Sequence, residues 1–304
     1  MMDDGRISFV WLEITGRCQL ECGHCYAESG PAGDHRRMQV EDWRRVIDQA
    51  AEIGAGMVQF IGGEPALHPA LPALIEHARG RGVEVEVFSN LVHVRPALWE
   101  VFSRPGVRLA TSYYSTDPNE HAAVTRRPTY ERTKANIREA VRRAIPLRVG
   151  VVNLWEGQRS DQAVAELREL GVTEIGTDRL RQVGRGVRTG RAGLDQLCGH
   201  CGDGKIAISP SGEVWPCVFS RWMPVGNVRE RALVEILSGP RTAEVGATLR
   251  THFATRPRSA WPTRPKPLSA KFSPWKPPPP DHACAAAPDP RKRASSCGLK
   301  PRSR

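Results

Sequence analysis

Three cysteines stand close together near the amino end of the chain, in the segment "RCQLECGHCYAES". Cys18, Cys22 and Cys25 fall within eight residues, with no fourth cysteine beside them. A disulfide uses two thiols, and a structural zinc site usually has four ligands. Three thiolates on one loop suit an iron–sulfur cluster that keeps one iron free for another ligand. The spacing also leaves open a zinc site that is completed by His24 or by a distant cysteine.

A second cysteine group lies in "LCGHCGDGKIAISPSGEVWPC" and comprises Cys198, Cys201 and Cys217. The residues between Cys201 and Cys217 have the pattern of a β-hairpin with its turn at residues 210–212. Residues 225–237 then have the pattern of a turn that leads into an amphipathic helix. A small zinc ribbon is one interpretation, but its fourth ligand would be His200, which lies awkwardly inside the cysteine pair.

The elements that must position these groups alternate between residue 7 and about residue 180. Short apolar runs predict strands at residues 8–14, 57–63, 83–90, 107–114, 147–153 and 172–178. Helical patterns fall at residues 40–54, 70–82, 96–103, 130–144 and 160–170. This alternation predicts parallel strands joined by right-handed helical crossovers. Six units are too few for a closed eight-stranded barrel, so we predict an α/β fold with a partial (β/α)6 barrel.

Ligands of such folds bind at the carboxyl ends of the strands. The residues expected there are 16–25, 62–65, 89–90, 112–117, 153 and 178–181. The cysteine loop and the "GGEP" turn at residues 62–65 therefore fall on the same rim of the predicted barrel.

The charge of the chain is concentrated at its carboxyl end. Of 304 residues with a net charge of +11, residues 251–304 carry 12 Lys and Arg against 2 Asp and Glu. Residues 1–250 carry 32 against 31, so the folded part is nearly neutral, and we expect no nucleic-acid groove. The tail also holds 12 of the 25 prolines, which predicts disorder. It is either a genuine basic linker or the product of a shifted reading frame.

The amino end, "MMDDGRISFV", is acidic where a signal peptide would be basic, and no long apolar run follows it. We therefore expect a cytoplasmic protein that does not bind a membrane. In a reducing compartment, eight cysteines indicate metal binding or catalysis rather than disulfides. The predicted domains are the barrel at residues 1–185, a small cysteine-containing hairpin and helix extension at 186–250, and the disordered basic tail at 251–304.

With "GGEP" on the rim beside the cysteine loop, residues 8 to about 180 resemble the radical S-adenosylmethionine (SAM) enzymes. The resemblance implies that Cys18, Cys22 and Cys25 hold a [4Fe-4S] cluster whose fourth iron binds the amino and carboxylate groups of SAM. Reductive cleavage of SAM then yields a 5'-deoxyadenosyl radical that abstracts a hydrogen from the substrate. The cofactor supplies this chemistry, and the protein positions and shields it.

The same resemblance implies contacts to SAM. His24 replaces the usual aromatic residue before the last cysteine and is expected near the adenine. The motif formed by Gly62, Gly63, Glu64 and Pro65 is expected at the methionine ammonium, where glycines allow close backbone approach and oxygens accept hydrogen bonds.

The polar residues Ser89, Asn90 and Ser112 are expected at the ribose and carboxylate of SAM, with solvated turns as the alternative. Arg179 and Arg181 are either partners of a SAM or substrate carboxylate, or members of surface salt bridges. Asp117 and His121 are expected where substrate enters, although a helix N-cap explains Asp117 equally well.

The second cysteine group, with Gly212, resembles the opening half of the SPASM extension of radical SAM enzymes. This implies that Cys198, Cys201 and Cys217 bind an auxiliary [4Fe-4S] cluster. Only Cys284 and Cys297 follow, so a second auxiliary cluster is not expected. The extension is either a shortened form that borrows a distant ligand, or a form whose cysteine-rich end was lost with the reading frame.

The leading hypothesis is a radical SAM enzyme of the oxidoreductase or peptide-modifying type that matures a ribosomally made peptide. Its expected partners are the peptide, a reductase or flavodoxin-type electron donor, and a separate leader-peptide-binding protein, because the chain begins almost at the first strand. One alternative is a radical SAM enzyme that dehydrogenates or rearranges a small molecule, such as a sugar or cofactor precursor. The other is a zinc-stabilised scaffold without catalysis.

Overall fold

The structure is a computed structural model that describes residues 7–190 and 192–254. The predicted disorder of the tail therefore lies outside the described residues from residue 255 onward. Cys284 and Cys297 also lie outside them.

Six parallel strands form the predicted partial barrel. They are β1 (Phe9–Thr15), β2 (Met57–Gly62), β3 (Glu84–Phe88), β4 (Val107–Tyr113), β5 (Leu147–Asn153) and β6 (Glu174–Arg179). Each strand pairs in parallel with the next one along the chain. The predicted α/β class and partial barrel are confirmed, and the carboxyl ends of the six strands share one rim.

The helices of this part are α1 (Val40–Glu52), α2 (Leu71–Gly80), α3 (Pro96–Phe102), α4 (Pro118–Thr125), α5 (Tyr130–Arg142) and α6 (Ser160–Glu169). Four side chains on one face of α1, those of Trp43, Val46, Ile47 and Ala50, are inaccessible to solvent. This stripe attaches the helix to the sheet by hydrophobic burial. Helix α4 is absent from the five helical patterns, although the interpretation of Asp117 as a helix N-cap implies a helix that starts there, as α4 does.

The second cysteine group belongs to the same sheet. Strand β7 (Lys205–Ile208) pairs in parallel with β1, and Phe9 lies opposite Lys205. Strand β8 (Glu213–Trp215) returns antiparallel to β7, as the predicted hairpin requires, and β9 (Gly226–Asn227) pairs with β8. The strand order is β6-β5-β4-β3-β2-β1-β7-β8-β9. The domain boundary predicted at residue 185 falls between β6 and β7 and stays a prediction.

Two helices end the described chain, α7 (Leu233–Ser238) and α8 (Pro240–Phe253). The run at 225–237 therefore contains a short strand before its helix. Helix α8 crosses the predicted start of the tail at residue 251, because Val245 and Leu249 bury it against the body. No helix in the described ranges is long and apolar enough to span a bilayer.

The inside of the barrel carries a layer of paired charges. Glu86 on β3 is inaccessible to solvent and accepts hydrogen bonds from the Arg148 guanidinium at 2.7 and 2.9 Å. Arg108 on β4 also pairs with Glu86 at 3.2 Å, and with Glu174 on β6 at 2.6 Å. Because every charge named here has an opposite partner, the layer satisfies the requirement that buried charges be paired.

Candidate functional site

The cysteine loop, residues 16–30, follows β1 and is held by backbone hydrogen bonds from two directions. Within the loop, the Cys18 amide donates to the Gly30 carbonyl at 3.0 Å. From α4, the Val124 carbonyl accepts from the Gly23 amide at 3.0 Å. The loop has no regular secondary structure of its own, so these contacts define its shape.

The "GGEP" turn docks directly onto this loop. The Gly63 amide donates to the Thr15 carbonyl at 2.7 Å, and the Glu64 amide donates to the Arg17 carbonyl at 2.8 Å. A Cβ on Gly63 would lie 2.2 Å from the Arg17 carbonyl oxygen, and Gly62 has a φ of +126°. Only glycine tolerates both the approach and the dihedral. The glycine pair therefore fixes β2 against the cysteine loop.

The Glu64 carboxylate is buried and faces the end of β3. One oxygen accepts from the Ser89 hydroxyl at 2.8 Å and from the Ala66 amide at 2.9 Å. The other oxygen accepts from the Asn90 amide at 2.7 Å. Burial raises the pKa of Glu64 to about 7, and the hydrogen bonds oppose that rise. In this structure Glu64 positions Ser89 and Asn90.

Of the three thiols of the cysteine loop, that of Cys18 is buried, and those of Cys22 and Cys25 are partly exposed. Cys18 is 8% exposed, and its sulfur accepts from the Leu20 amide at 3.4 Å and from the Asn90 side-chain amide at 3.6 Å. Burial raises the pKa of Cys18, and the neighbouring Glu64 raises it further. Burial raises the pKa of Cys22 to about 12, and the nearby Arg185 opposes this. A bound cation would reverse this preference for the neutral thiol.

His24 lies against Tyr114, which immediately follows β4. Their rings meet edge to face at 5.2 Å, and the Tyr114 hydroxyl is 3.4 Å from His24 Nε2. Burial lowers the pKa of His24 to about 4, and the charges of Arg185 and Arg188 add to the effect. His24 Nδ1 has no hydrogen-bond partner among the described residues.

The arginines and acids predicted on the rim have different environments. Arg181 is 9% exposed, and it donates to the Asp178 carboxylate at 2.7 Å and to the Gln196 carbonyl at 3.1 Å. Asp117 caps α4, since its carboxylate accepts from the Asn119 and Glu120 amides. His121 is 1% exposed and lies among three tyrosine rings. Burial lowers its pKa to about 4.

Residues 184 and 185 were missed by the sequence reasoning, although they touch the cysteine loop. Arg185 donates to the Cys22 carbonyl at 3.0 Å and to the Ser29 carbonyl at 2.6 Å. A Cβ on Gly184 would lie 2.4 Å from the Tyr26 carbonyl oxygen. The "GRG" that follows the sixth strand is the one local signal that could have drawn attention to this segment.

The second cysteine group is tightly packed. The sulfurs of Cys201 and Cys217 lie 3.0 Å apart. A hydrogen bond from Cys201 lowers the pKa of Cys198 to about 6, despite burial. At the tip of the hairpin, Gly212 has a φ of +88°, which explains the glycine in the turn.

A buried ion pair joins the two cysteine groups and was also missed. Glu13 on β1 is 1% exposed and accepts from Arg221, four residues after Cys217, at 2.7 and 2.9 Å. The guanidinium lies 4.3 Å from the centre of the Trp215 ring. Beside it, the rings of Tyr26 and Phe219 meet edge to face at 5.3 Å. Burial raises the pKa of Glu13, and Arg221 opposes that rise.

One cavity of about 290 Å³ lies between these groups. Its lining includes the predicted site residues Cys18, Cys22, His24, Cys25, Gly62, Gly63, Asn90, Ser112, Arg181, Cys198 and Cys217. The remaining predicted site residues, Glu64, Pro65, Ser89 and Cys201, are not part of the lining. The structure thus brings the two sulfur groups, 173 residues apart in sequence between Cys25 and Cys198, to one space.

The donor atoms suit an iron–sulfur cluster and an organic ligand beside it. Soft thiols converge on the cavity wall, and the buried Ser29 hydroxyl and His24 Nδ1 lack hydrogen-bond partners in the described part of the chain. Within residues 7–190 and 192–254, no group of three or more His, Cys, Asp or Glu side chains is arranged to hold a single metal ion.

Comparison with known proteins gives two family matches. Residues 12–170 match the Radical SAM superfamily, and residues 198–261 match SPASM, an iron-sulfur cluster-binding domain. A PqqA peptide cyclase of Xanthomonas oryzae pv. oryzae (strain MAFF 311018) is 28% identical over 276 residues, which cover 75% of this chain and 73% of that one. A PqqA peptide cyclase of Streptomyces rochei is 26% identical over 279 residues, covering 76% and 75%.

Solved structures share the fold. Streptococcus suis SuiB bound to S-adenosylmethionine superposes with a TM-score of 0.64 at 15% identity, covering 78% of this chain and 67% of that one. The protein anSMEcpe with bound AdoMet superposes with a TM-score of 0.60 at 14% identity, covering 78% and 81%. The first family match contains the cysteine loop, and the second begins at Cys198.

Proposed function

Since the chain belongs to the radical SAM superfamily, whose enzymes use [4Fe-4S] clusters and SAM, we propose that its substrate is a peptide. We propose that Cys18, Cys22 and Cys25 hold the cluster at which SAM binds. The observation that carries the proposal is that these sulfurs and those of Cys198 and Cys217 line one cavity. The similarity to PqqA peptide cyclases over three quarters of both chains supports the choice of substrate.

The chain's own residues have distinct tasks in this proposal. The glycine pair keeps β2 close to the cysteine loop, so the backbone at Gly62 and Gly63 lines the space for the methionine end of SAM. Glu64 and Pro65 follow them in the chain, and the Glu64 carboxylate holds Ser89 and Asn90 in place. His24, neutral because burial lowers its pKa, is available to stack or hydrogen-bond with the adenine. Ser112, and Arg181 by its positive charge, lie on the cavity wall for the other polar groups of SAM.

When bound, the cluster and SAM supply a 5'-deoxyadenosyl radical that takes a hydrogen atom from the substrate. The protein contributes shielding, because the apolar wall around the cavity keeps water from the reacting groups. We assign the reaction to the oxidoreductases that modify peptides. The proposed modification, by similarity to the peptide cyclases, is a bond between two side chains of one peptide. Forming this bond removes two hydrogen atoms, so electrons must leave the substrate.

Cys198, Cys201 and Cys217 are proposed ligands of an auxiliary cluster that accepts these electrons or holds the peptide. In support of this, the three cysteines flank the β7–β8 hairpin, whose first strand pairs with β1, and Cys198 and Cys217 line the same cavity as Cys18, Cys22 and Cys25. A reductase or flavodoxin-type protein as electron donor, and a separate protein that binds the leader peptide, stay predictions. Both would have to approach from outside the barrel.

The test uses the protein purified without oxygen and reconstituted with iron and sulfide. Under reduction it should be brown and release 5'-deoxyadenosine from SAM. With a short peptide encoded beside its gene, mass spectrometry should show a product lighter by two hydrogen atoms. A colourless protein that retains zinc and cleaves no SAM would overturn the proposed cofactor site. SAM cleavage with every neighbouring peptide left unmodified would overturn the peptide assignment.

A further inference from the structure

The segment after β6 returns to the cysteine loop from the opposite edge of the barrel. Gly184 has a φ of +56°, and its Cα approaches the carbonyl oxygens of Cys25 and Tyr26 so closely that a Cβ would lie 2.6 and 2.4 Å from them. This approach delivers the next residue, Arg185, to the side of the loop that carries Cys22 and Cys25.

Arg185 contacts the loop at three points. Its own amide donates to the Cys25 carbonyl at 3.1 Å. Its guanidinium donates through Nε to the Cys22 carbonyl at 3.0 Å, and through Nη2 to the Ser29 carbonyl at 2.6 Å. A guanidinium is a rigid planar fork, so two carbonyls bound to it are held at a fixed separation. Arg185 therefore ties both ends of the stretch from Cys22 to Ser29 to one rigid group.

The charge of Arg185 is not neutralised by a carboxylate. Arg181 pairs with Asp178 at 2.7 Å, and Arg221 pairs with Glu13 at 2.7 Å. Among the described residues, no Asp or Glu oxygen lies within ion-pair distance of Arg185, whose acceptors are neutral carbonyls. Its positive charge is held beside the Cys22 carbonyl without a neutralising partner.

An iron–sulfur cluster held by thiolates carries net negative charge, which grows by one when the cluster takes up an electron. Nearby charge and hydrogen bonds are among the features that set its reduction potential. A cation that is only partly exposed acts at reduced screening. Because hydrogen bonds hold the Arg185 side chain in place, its charge stays at a fixed distance from the site.

We propose that Arg185 is a positioning residue of the radical SAM cluster: it fixes the shape of the cysteine loop, and its unpaired charge favours the reduced cluster. This inference rests on the proposed function in one respect, which is that Cys18, Cys22 and Cys25 hold the cluster. It adds a residue outside both family matches, since residue 185 falls between 170 and 198.

Three full-length variants separate shape from charge. Arg185→Lys keeps the charge and loses the fork, whereas Arg185→Gln loses both. Arg188→Gln is the matched control, because Arg188 is exposed and adds charge nearby but has no side-chain hydrogen bond to the loop in the described structure. Circular dichroism and thermal unfolding establish that each variant is folded.

The first measurement is amide hydrogen exchange of the loop in the metal-free protein. Loop amides such as those of Cys25 and Glu28 should exchange about tenfold faster in both Arg185 variants, because both lose the planar fork that holds the Cys22 and Ser29 carbonyls together. Arg188→Gln should exchange like the unchanged protein. Equal exchange in all four proteins would overturn the positioning role.

The second measurement is the reduction potential of the reconstituted protein, followed by electron paramagnetic resonance. The potential should become more negative in Arg185→Gln, stay near the original in Arg185→Lys, and shift less in Arg188→Gln than in Arg185→Gln. An unchanged potential in Arg185→Gln would overturn the role of the charge. If Arg185→Gln does not fold, faster loop exchange with an unchanged potential in Arg185→Lys still supports the proposal, and unchanged exchange overturns it.

The two sets of outcomes are independent of the substrate. Failure to modify any peptide would contradict the proposed function, yet it would leave the exchange and potential measurements intact. Failure to bind iron at the cysteine loop would contradict the ligand assignment, and the metal-free exchange data would still judge the contact made by Arg185.

Discussion

The two cysteine groups of the described chain are constructed in opposite ways. Cys18, Cys22 and Cys25 occupy an irregular loop whose shape comes from contacts with Gly30, with α4 and with the segment at residues 184–185. Cys198, Cys201 and Cys217 flank a local hairpin, and two of their sulfurs already lie 3.0 Å apart. The first group depends on partners that are distant in sequence. The second depends mainly on its own neighbourhood.

This difference teaches where each site is vulnerable. A change far along the chain can disturb the cysteine loop, because its supports are hydrogen bonds from other elements. The hairpin group should resist such changes, since β7 and β8 are adjacent and share a ladder. An irregular loop suits a cluster that keeps one coordination position open, whereas a hairpin suits a compact group of thiols.

The largest expected effect comes from removing one thiol from each group. Cys22→Ala should abolish the release of 5'-deoxyadenosine from SAM, because the loop then lacks a ligand for its cluster. Cys217→Ala should keep SAM cleavage and lose the modified peptide. Chromatography measures the first product and mass spectrometry the second. If the two variants lost SAM cleavage equally, the two groups would not be separate sites.

The next effect concerns the glycine turn that supports the loop. Gly63→Ala places a Cβ 2.2 Å from the Arg17 carbonyl oxygen, and this backbone clash should lower the free energy of unfolding by on the order of 4 kcal/mol. Gly80→Ala, at the end of α2 with nothing within 4 Å of its Cβ, should change it by less than about 1 kcal/mol. Urea unfolding of the metal-free protein compares them. Similar values for both would contradict the packing of the turn.

The ion pair between the regions should follow. Arg221→Met leaves the Glu13 carboxylate buried without its cation, and should cost about 3 kcal/mol of unfolding free energy. Adding Glu13→Gln should recover part of that loss, since the uncompensated charge is then gone. A double-mutant cycle in denaturant measures the coupling. Additive costs would show that the pair does not join the regions energetically.

The pH dependence of stability isolates Glu64. Its pKa is about 7 in the folded protein against a usual 4.5, so the folded state retains a proton that the unfolded state releases. The Glu64 contribution is fully present below pH 4.5 and is lost as the pH rises through 7, by about 3 kcal/mol. Glu64→Gln should flatten this part of the profile in the metal-free protein. If the profiles of Glu64→Gln and of the unchanged protein ran parallel, the raised pKa of Glu64 would be contradicted.

The smallest effect is expected at Asp117, which caps the helix that touches the cysteine loop. Asp117→Ala should lower the melting temperature slightly, because α4 loses the acceptor for two amides at its start. SAM cleavage should stay as in the unchanged protein. A large loss of cleavage would mean that Asp117 meets a ligand, as its position on the rim alone had indicated.

The strands were predictable because their apolar runs are local. All six barrel strands lie within two residues of their expected bounds, and β3 ends at Phe88 because Ser89 and Asn90 turn to Glu64. Helix α4 was missed by the helical patterns since its buried side chains include the polar His121 and Thr125, which give no apolar stripe. A sequence pattern reveals hydrophobic periodicity, but it does not reveal which polar side chains are buried.

The cysteine loop and the glycine turn were found from motif and order along the chain, whereas their supports were not. Arg185 and Cys22 are 163 residues apart, and Arg221 and Glu13 are 208 apart. No local pattern marks such contacts, because the residues beside an arginine in the sequence do not show whether its guanidinium will meet a distant residue. The parallel pairing of β7 with β1 was missed for the same reason.

That pairing makes β1 an inner strand with parallel neighbours on both edges. Deleting one residue from β7 would displace everything beyond it by one step of the strand, about 3.3 Å, and would turn its side chains to the other face. Cys217 would then leave the space it shares with Cys25. This ladder therefore allows few insertions or deletions in the strand that joins the two halves.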